Sequence, residues 1–265
     1  MIFNDMEALN PPSPLLMALE SRAVFEWASL ALSWPILKRA PEGDGHPVLV
    51  LPGLIANDAS TWPLRKFLES RGYHAYPWEE GFNRGPCPNL ADRLEQRLMD
   101  IERHHGRKAS LIGWSLGGAM ARALAFRMPD HVRSIITLGS PLQGHHRATN
   151  AWKIFELVSG WKADDPRLAE WLAQHPPAPS TSFMSKTDGV VNWRMSMVPE
   201  SALSENIEVS ATHMGMGVNP VVLWAIADRL AQPEGEWQPL DRNDPLRSLL
   251  YRCPRKIRMA DLIAP

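Results

Sequence analysis

Residues Ser110–Phe126 read SLIGWSLGGAMARALAF, and this stretch decides the architecture. Its first part, SLIG, is a short apolar run of the kind expected of a buried strand. Its last part, LGGAMARALAF, is a run of helix formers. Between them Gly113-Trp114-Ser115-Leu116-Gly117 fits G-x-S-x-G. That pentapeptide is common in isolation and specific in this setting, because a serine on a tight strand-to-helix turn has its hydroxyl lifted clear of the sheet. Gly113 and Gly117, lacking Cβ atoms, let the two elements approach closely around it. The helix N-terminus presents backbone donors and its positive dipole end to developing negative charge. The plain alternative for Ser115 is a helix N-cap; the two glycines and the preceding strand favour a nucleophile.

On both sides of this stretch, strand-like and helix-like segments alternate. Val48–Leu51 (VLVL), Gly72–Tyr76, Ala109–Trp114, Ser134–Leu138, Thr181–Ser185 and Ile207–Val209 read as strands. Helical segments run from a hydroxyl cap at Ser60 or Thr61 to Arg71, and over Asn89–His105, Leu116–Met128 and Pro220–Leu230. In Asn89–His105 the residues Leu90, Leu94, Leu98 and Ile101 mark one apolar helix face. Such alternation predicts an α/β class chain with a mostly parallel central sheet and helices on both faces. Gly144–Ser180 interrupts the rhythm with Trp152, Phe155, Trp161 and Trp171, and is too long for an ordinary connection. The expected organisation is therefore a helical arm over residues 1–46, a core over 47–232 and a tail over 233–265. A helical insertion covers the core at about 144–180.

A serine hydroxyl needs a base within hydrogen-bond reach, itself oriented by a third group. After a serine on such a turn, the partners follow in the order acid, then histidine. Of the later histidines, His131 ends the helix that Ser115 opens, while His145, His146 and His175 lie in the interrupting segment. His213 stands just past a strand in ATHMGMG, before the final core helix. Among Asp130, Asp164, Asp165 and Asp188, the last follows the strand TSFMS in Lys186-Thr187-Asp188-Gly189. An Asp-Gly turn is its plain alternative. Asp164 and Asp165 read as caps of a helix starting at Pro166. All strands of a parallel sheet end on one side, so Ser115, Asp188 and His213 are expected to converge at that rim.

The chain resembles the α/β-hydrolase superfamily, in particular its smaller bacterial lipases and esterases. The likeness is carried by VLVLPGL (Val48–Leu54), GWSLGG (Gly113–Gly118), ITLGSPLQG (Ile136–Gly144), KTDGVV (Lys186–Val191) and THMGM (Thr212–Met216). It spans about Pro47 to Leu230. The resemblance implies an α/β-hydrolase fold and an oxyanion hole from two backbone N–H groups, those of Leu116 and Leu54. Many relatives carry His-Gly where this chain has Pro52-Gly53. It also implies a cap insertion where Gly144–Ser180 stands. The expected chemistry is ester cleavage through an acyl-enzyme on Ser115, with His213 as base and Asp188 orienting it. Acyl transfer to a non-water acceptor, or a binding protein on the same fold, are the alternatives.

Composition narrows the partners. Hydrophobic residues at 45% and charged residues at 22% exclude disordered and fibrous classes. Lys plus Arg number 28 against 29 Asp plus Glu, a balance that gives no warrant for nucleic-acid binding. The two cysteines, Cys87 and Cys253, make no disulfide framework. No cofactor and no metal are expected, since His104-His105 and His145-His146 lack ligand spacing with matching acids. The aromatic insertion and apolar arm favour an apolar ester or acyl substrate. Trp114, Asn83, Arg84, Trp152 and Phe155 are candidates to meet it. The arm is uncharged from Trp27 to Leu37 and reads as a helix packed on the core or a partner, or as a lipid-surface element. Arg247–Arg258 is basic and reads as a solvated segment. With an acidic N-terminus and no long apolar run, the expected location is cytoplasmic.

Overall fold

A computed structural model of the protein describes residues 9–144, 146–165 and 178–254, the His146 side chain excepted. Six strands, β1 (Pro47–Leu51), β2 (His74–Pro77), β3 (Ala109–Trp114), β4 (Val132–Leu138), β5 (Ser180–Met184) and β6 (Ser204–Glu208), form one sheet. Their order is β2-β1-β3-β4-β5-β6, and every pairing is parallel. β1, β3 and β5 are buried along their whole length, as strands covered on both faces must be. Alternation along β1 sorts its side chains into two cores. Val48 and Val50 join one with Ile112, Ile136 and Phe183; Leu49 and Leu51 join the other with Leu111 and Ile135.

Helices α3 (Asp58–Ser70), α4 (Leu90–His105) and α5 (Leu116–Arg127) follow β1, β2 and β3. The apolar face of α4 is buried at Leu90, Leu94, Leu98 and Ile101 and packs on the second core. α3 begins earlier than the hydroxyls at Ser60 and Thr61 indicate: Asn57, in extended backbone, caps it by accepting from Ala59 N at 3.0 Å. The helix α7 (Pro220–Leu230) closes the first core and is capped by Asn219.

The arm is broken rather than continuous: α1 (Pro14–Ala18), a 3₁₀ turn over Leu19–Arg22, then α2 (Ala23–Leu37). Leu30 and Leu37 are buried in the first core, with Trp34 edge-on to Phe67. In the interrupting segment the described residues hold a 3₁₀ turn, His146–Ala148, and α6 (Trp152–Ser159). Trp171, His175 and the helix start at Pro166 lie outside the described residues, as do His145, Arg255, Lys256 and Arg258. The tail is bound to the core. Arg252 pairs antiparallel with Glu208 on the β6 edge, Tyr251 is buried, and a short helix, α8 (Pro245–Leu250), precedes them. Arg247 of the basic stretch is ion-paired to Asp228 at 3.2 Å. Cys87 and Cys253 are exposed free thiols. No helix among the described residues is long and apolar enough to cross a membrane.

His46, fully buried just before β1, bonds Asp44 at 2.6 Å and Ser110 at 2.9 Å. Burial pushes its imidazole down to about 4 against the support of the Asp44 carboxylate. A folded-state pKa below the unfolded 6.5 stabilises the fold above that value, and the contribution is lost as pH falls from 6.5 to about 4. Urea unfolding is therefore expected to show wild-type stability falling more steeply across this window than that of His46→Gln. Parallel slopes would contradict it.

Candidate active site

At the end of β3 the chain turns sharply. Ser115 has φ 54° and ψ −123°, a strained backbone for a residue with a side chain. Its N–H donates to Leu138 O at 2.8 Å, anchoring it to the end of β4. The turn closes because the following helix can lie against the sheet. A Cβ on Gly117 would sit 2.4 Å from Leu51 O and 2.6 Å from Pro52 O, contacts that no side chain tolerates. α5 is thereby held over the ends of β1 and β3, with Ser115 at its N-terminus.

Two loops at the same sheet edge supply Asp188 and His213. Asp188 Oδ2 accepts from His213 Nδ1 at 2.7 Å, and its Oδ1 accepts from the N–H groups of Val190 and Val191 at 2.8 and 2.7 Å. Asp188 is 3% exposed and His213 4%, so this is a buried, fully oriented pair. The loops are laced together. Ser185 and Thr187 donate their hydroxyls to Ala211 O at 2.6 and 3.0 Å. Trp114, the neighbour of Ser115, donates its indole N–H to His213 O at 3.0 Å. Burial opposes protonation of His213, but the Asp188 charge, its hydrogen bond and the Glu20 charge outweigh that, raising its pKa above the ordinary histidine value.

Both halves of the site flank the β4 exit. Ser115 is bonded to Leu138, while a Cβ on Gly139 would lie 3.0 Å from Asp188 Oδ2 and 3.1 Å from His213 Nδ1. Among the described residues no hydrogen bond joins the Ser115 hydroxyl to His213.

Ser115 opens into a pocket walled by Ala119 and Met120 of α5, Trp152 and Phe155 of α6, and Pro86. Leu54 and Leu116 line it too. The Leu116 N–H heads α5, where no intrahelical acceptor exists, and no described hydrogen bond engages that of Leu54. Gly53, beside Leu54, lies against Ser115: a Cβ there would be 3.3 Å from the serine Cβ.

Three substrate candidates have other places. Asn83 is fully buried, with its amide committed to Pro52 O at 2.8 Å and Gly85 N at 3.0 Å. Its backbone also exchanges bonds with Ile55 and Ala56 at 2.7 and 2.8 Å, holding Ile55 at φ 53°. Asn83 thus shapes the Leu54 loop instead of meeting a ligand. Arg84 is exposed and away from the pocket lining, and Trp114 is buried against the His213 loop. The sequence reading missed Glu20 altogether, whose Oε1 accepts from His213 N at 2.9 Å. Its only signal was that it is one of two acids, with Glu26, among the apolar residues of Leu15–Leu37.

The palmitoyl protein thioesterase family model matches residues 47–188, more than half of the chain and a span that includes Ser115 and ends at Asp188. Over 110 residues the chain is 30% identical to pimeloyl-[acyl-carrier protein] methyl ester esterase of Shewanella woodyi, covering 42% of each. It is 24% identical over 133 residues to the mouse serine hydrolase BPHL, covering 47% of this chain and 45% of that protein. The chain thus spans less than half the length of these curated relatives. The mature-form crystal structure of Bacillus licheniformis lipase BlEst2 superposes with a TM-score of 0.56 at 14% identity, over 73% of this chain and 95% of that one. The likeness to that lipase is one of fold, the α/β-hydrolase fold.

Removing the Asp188 charge removes the main support for imidazolium. Two-dimensional NMR of the His213 ring is expected to titrate above 6.5 in the wild type and at lower pH in Asp188→Asn. An unchanged midpoint would contradict the electrostatic account.

Proposed function

Because the chain belongs to the palmitoyl protein thioesterase family, an esterase- and thioesterase-type branch of the α/β hydrolases, we propose that it is a serine hydrolase of apolar acyl esters or thioesters. The observation that carries this reading is the buried Asp188–His213 pair, held at the sheet edge from which Ser115 rises. Ser115 Oγ attacks the acyl carbonyl while His213 Nε2 takes its proton. The tetrahedral oxyanion is met by the N–H groups of Leu116, at the head of α5, and of Leu54, in the loop after β1. Collapse expels the alcohol or thiol, which receives the proton from His213. Water, activated by the same base, then releases the acid. Asp188 keeps the Nδ1–H tautomer in place and offsets the imidazolium charge. The acyl chain lies between α5 and α6, against Met120, Trp152 and Phe155, where apolar area favours hydrocarbon over a charged group.

Fluorophosphonate labelling tests the reading. Wild type is expected to label and Ser115→Ala not to; equal labelling would remove the proposal. Asp188→Asn should lose about 10⁴ in kcat at pH 7. Product analysis with added alcohols or amines separates hydrolysis from acyl transfer.

The outer face of the arm supports a lipid-surface contact. Val24, Phe25, Leu32 and Ile36 of α2 are 70%, 74%, 82% and 60% exposed. The exposed cations Lys38 and Arg39 follow directly, the pattern of a segment that lies on an anionic bilayer. The double variant Phe25→Glu, Leu32→Glu should lose co-sedimentation with phosphatidylglycerol vesicles and keep hydrolysis of a water-dissolved short-chain ester. Undiminished sedimentation would contradict it.

A further inference from the structure

Two carboxylates of the arm reach into the loops that carry Asp188 and His213. Glu20, in the 3₁₀ turn between α1 and α2, is buried. Its Oε1 accepts from Gly189 N at 2.7 Å and from His213 N at 2.9 Å, and its Oε2 accepts from Met214 N at 2.9 Å. One carboxylate therefore bonds the residue after the acid, the histidine itself and the residue after the histidine. Glu26, in the first turn of α2, accepts from Thr212 N at 3.2 Å, from the Thr212 hydroxyl and from Asn219 Nδ2 at 2.8 Å. The arm backbone lies directly on the acid loop, since a Cβ on Gly189 would come within 2.3 Å of Leu16 O. Asn150 ties the arm to the acid loop, donating to Pro12 O at 3.0 Å and Gly189 O at 2.7 Å.

We infer that Glu20 is a positioning residue for the proposed reaction: its carboxylate clamps the backbone of the Asp188 and His213 loops, so that the base is set by a segment outside the core. The inference rests on the serine-hydrolase reading. Bonds from buried N–H groups to a carboxylate are among the stronger ones, and losing the acceptor leaves the donors unsatisfied. The negative charge also stands near the imidazole. The charged groups facing His213 are Asp188 from the β5 loop and Glu20 from the arm, with Glu26 beside Thr212. Glu20 and Asp188 both favour imidazolium, so neutralising Glu20 lowers the pH at which the base becomes free.

The test compares wild type with Glu20→Gln and Glu20→Asp on a water-dissolved short-chain ester, with melting curves to establish folding. Glu20→Gln is expected to lower kcat by about tenfold to a hundredfold. Its KM should stay near the wild-type value, and the acid limb of kcat/KM should move to lower pH. Glu20→Asp, which keeps the charge on a shorter stem, should restore the limb to its wild-type position and part of kcat. A folded Glu20→Gln with wild-type kcat and limb overturns the inference. So does a variant that melts early but keeps the limb in place, which would make Glu20 structural only. If Glu20→Gln yields no folded protein, Glu20→Asp decides through kcat: a value within about twofold of wild type overturns the inference, a larger loss supports it. Equal fluorophosphonate labelling of Ser115→Ala would instead sink the underlying reading, whatever the Glu20 variants do.

Discussion

An imidazole sealed from water carries a positive charge only if a carboxylate is fixed beside it. The 2.7 Å bond from His213 to Asp188 meets that requirement, and the surrounding loops are organised to keep it. Asp188 spends its other oxygen on two backbone N–H groups, which leaves it little freedom to swing away. His213 is restrained through its own backbone by the Trp114 indole and the Glu20 carboxylate. The pair is thus oriented from three directions: the acid loop, the residue before Ser115 and the arm. Its charge balance favours protonation despite burial, which suits a group proposed to hold a proton between two steps.

Around this pair the sheet supplies rigidity and the glycines supply proximity. β1, β3, β4 and β5 end together, so residues as far apart in sequence as Trp114 and His213 meet without long excursions. The strain at Ser115, and at Ile55 on the facing loop, persists because the surroundings over-determine it. At Ser115 the constraint is the β3–α5 turn against Leu138; at Ile55 it is the Asn83 brace. The N–H groups of Leu54 and Leu116, which have no acceptor among the described residues, are a by-product of these two braced turns.

Much of this was legible in the sequence because it is written locally. The apolar runs at Val48–Leu51 and Ser134–Leu138, the leucine face of α4 and the glycines around Ser115 each report their own environment. Asp188 and His213 could be picked out because each follows a strand. What escaped depends on partners distant along the chain. Glu20 meets residues 169 and 193 positions away, and nothing beside it announces that. Asn83 stood in a plausible rim loop, but its amide is turned inward to Pro52, 31 residues back. The α3 start was misread because Asn57 outcompeted the hydroxyls that follow it. The tail helix after Asp244 is too short to show periodicity.

The proposed reaction passes through a transient acyl group on Ser115. The most direct measurement is acid quench during turnover of an activated ester, followed by peptide mass spectrometry. An acyl-sized mass increase is expected on the peptide containing Ser115. Turnover with the adduct on another residue, or with none trapped at any quench time, would contradict it.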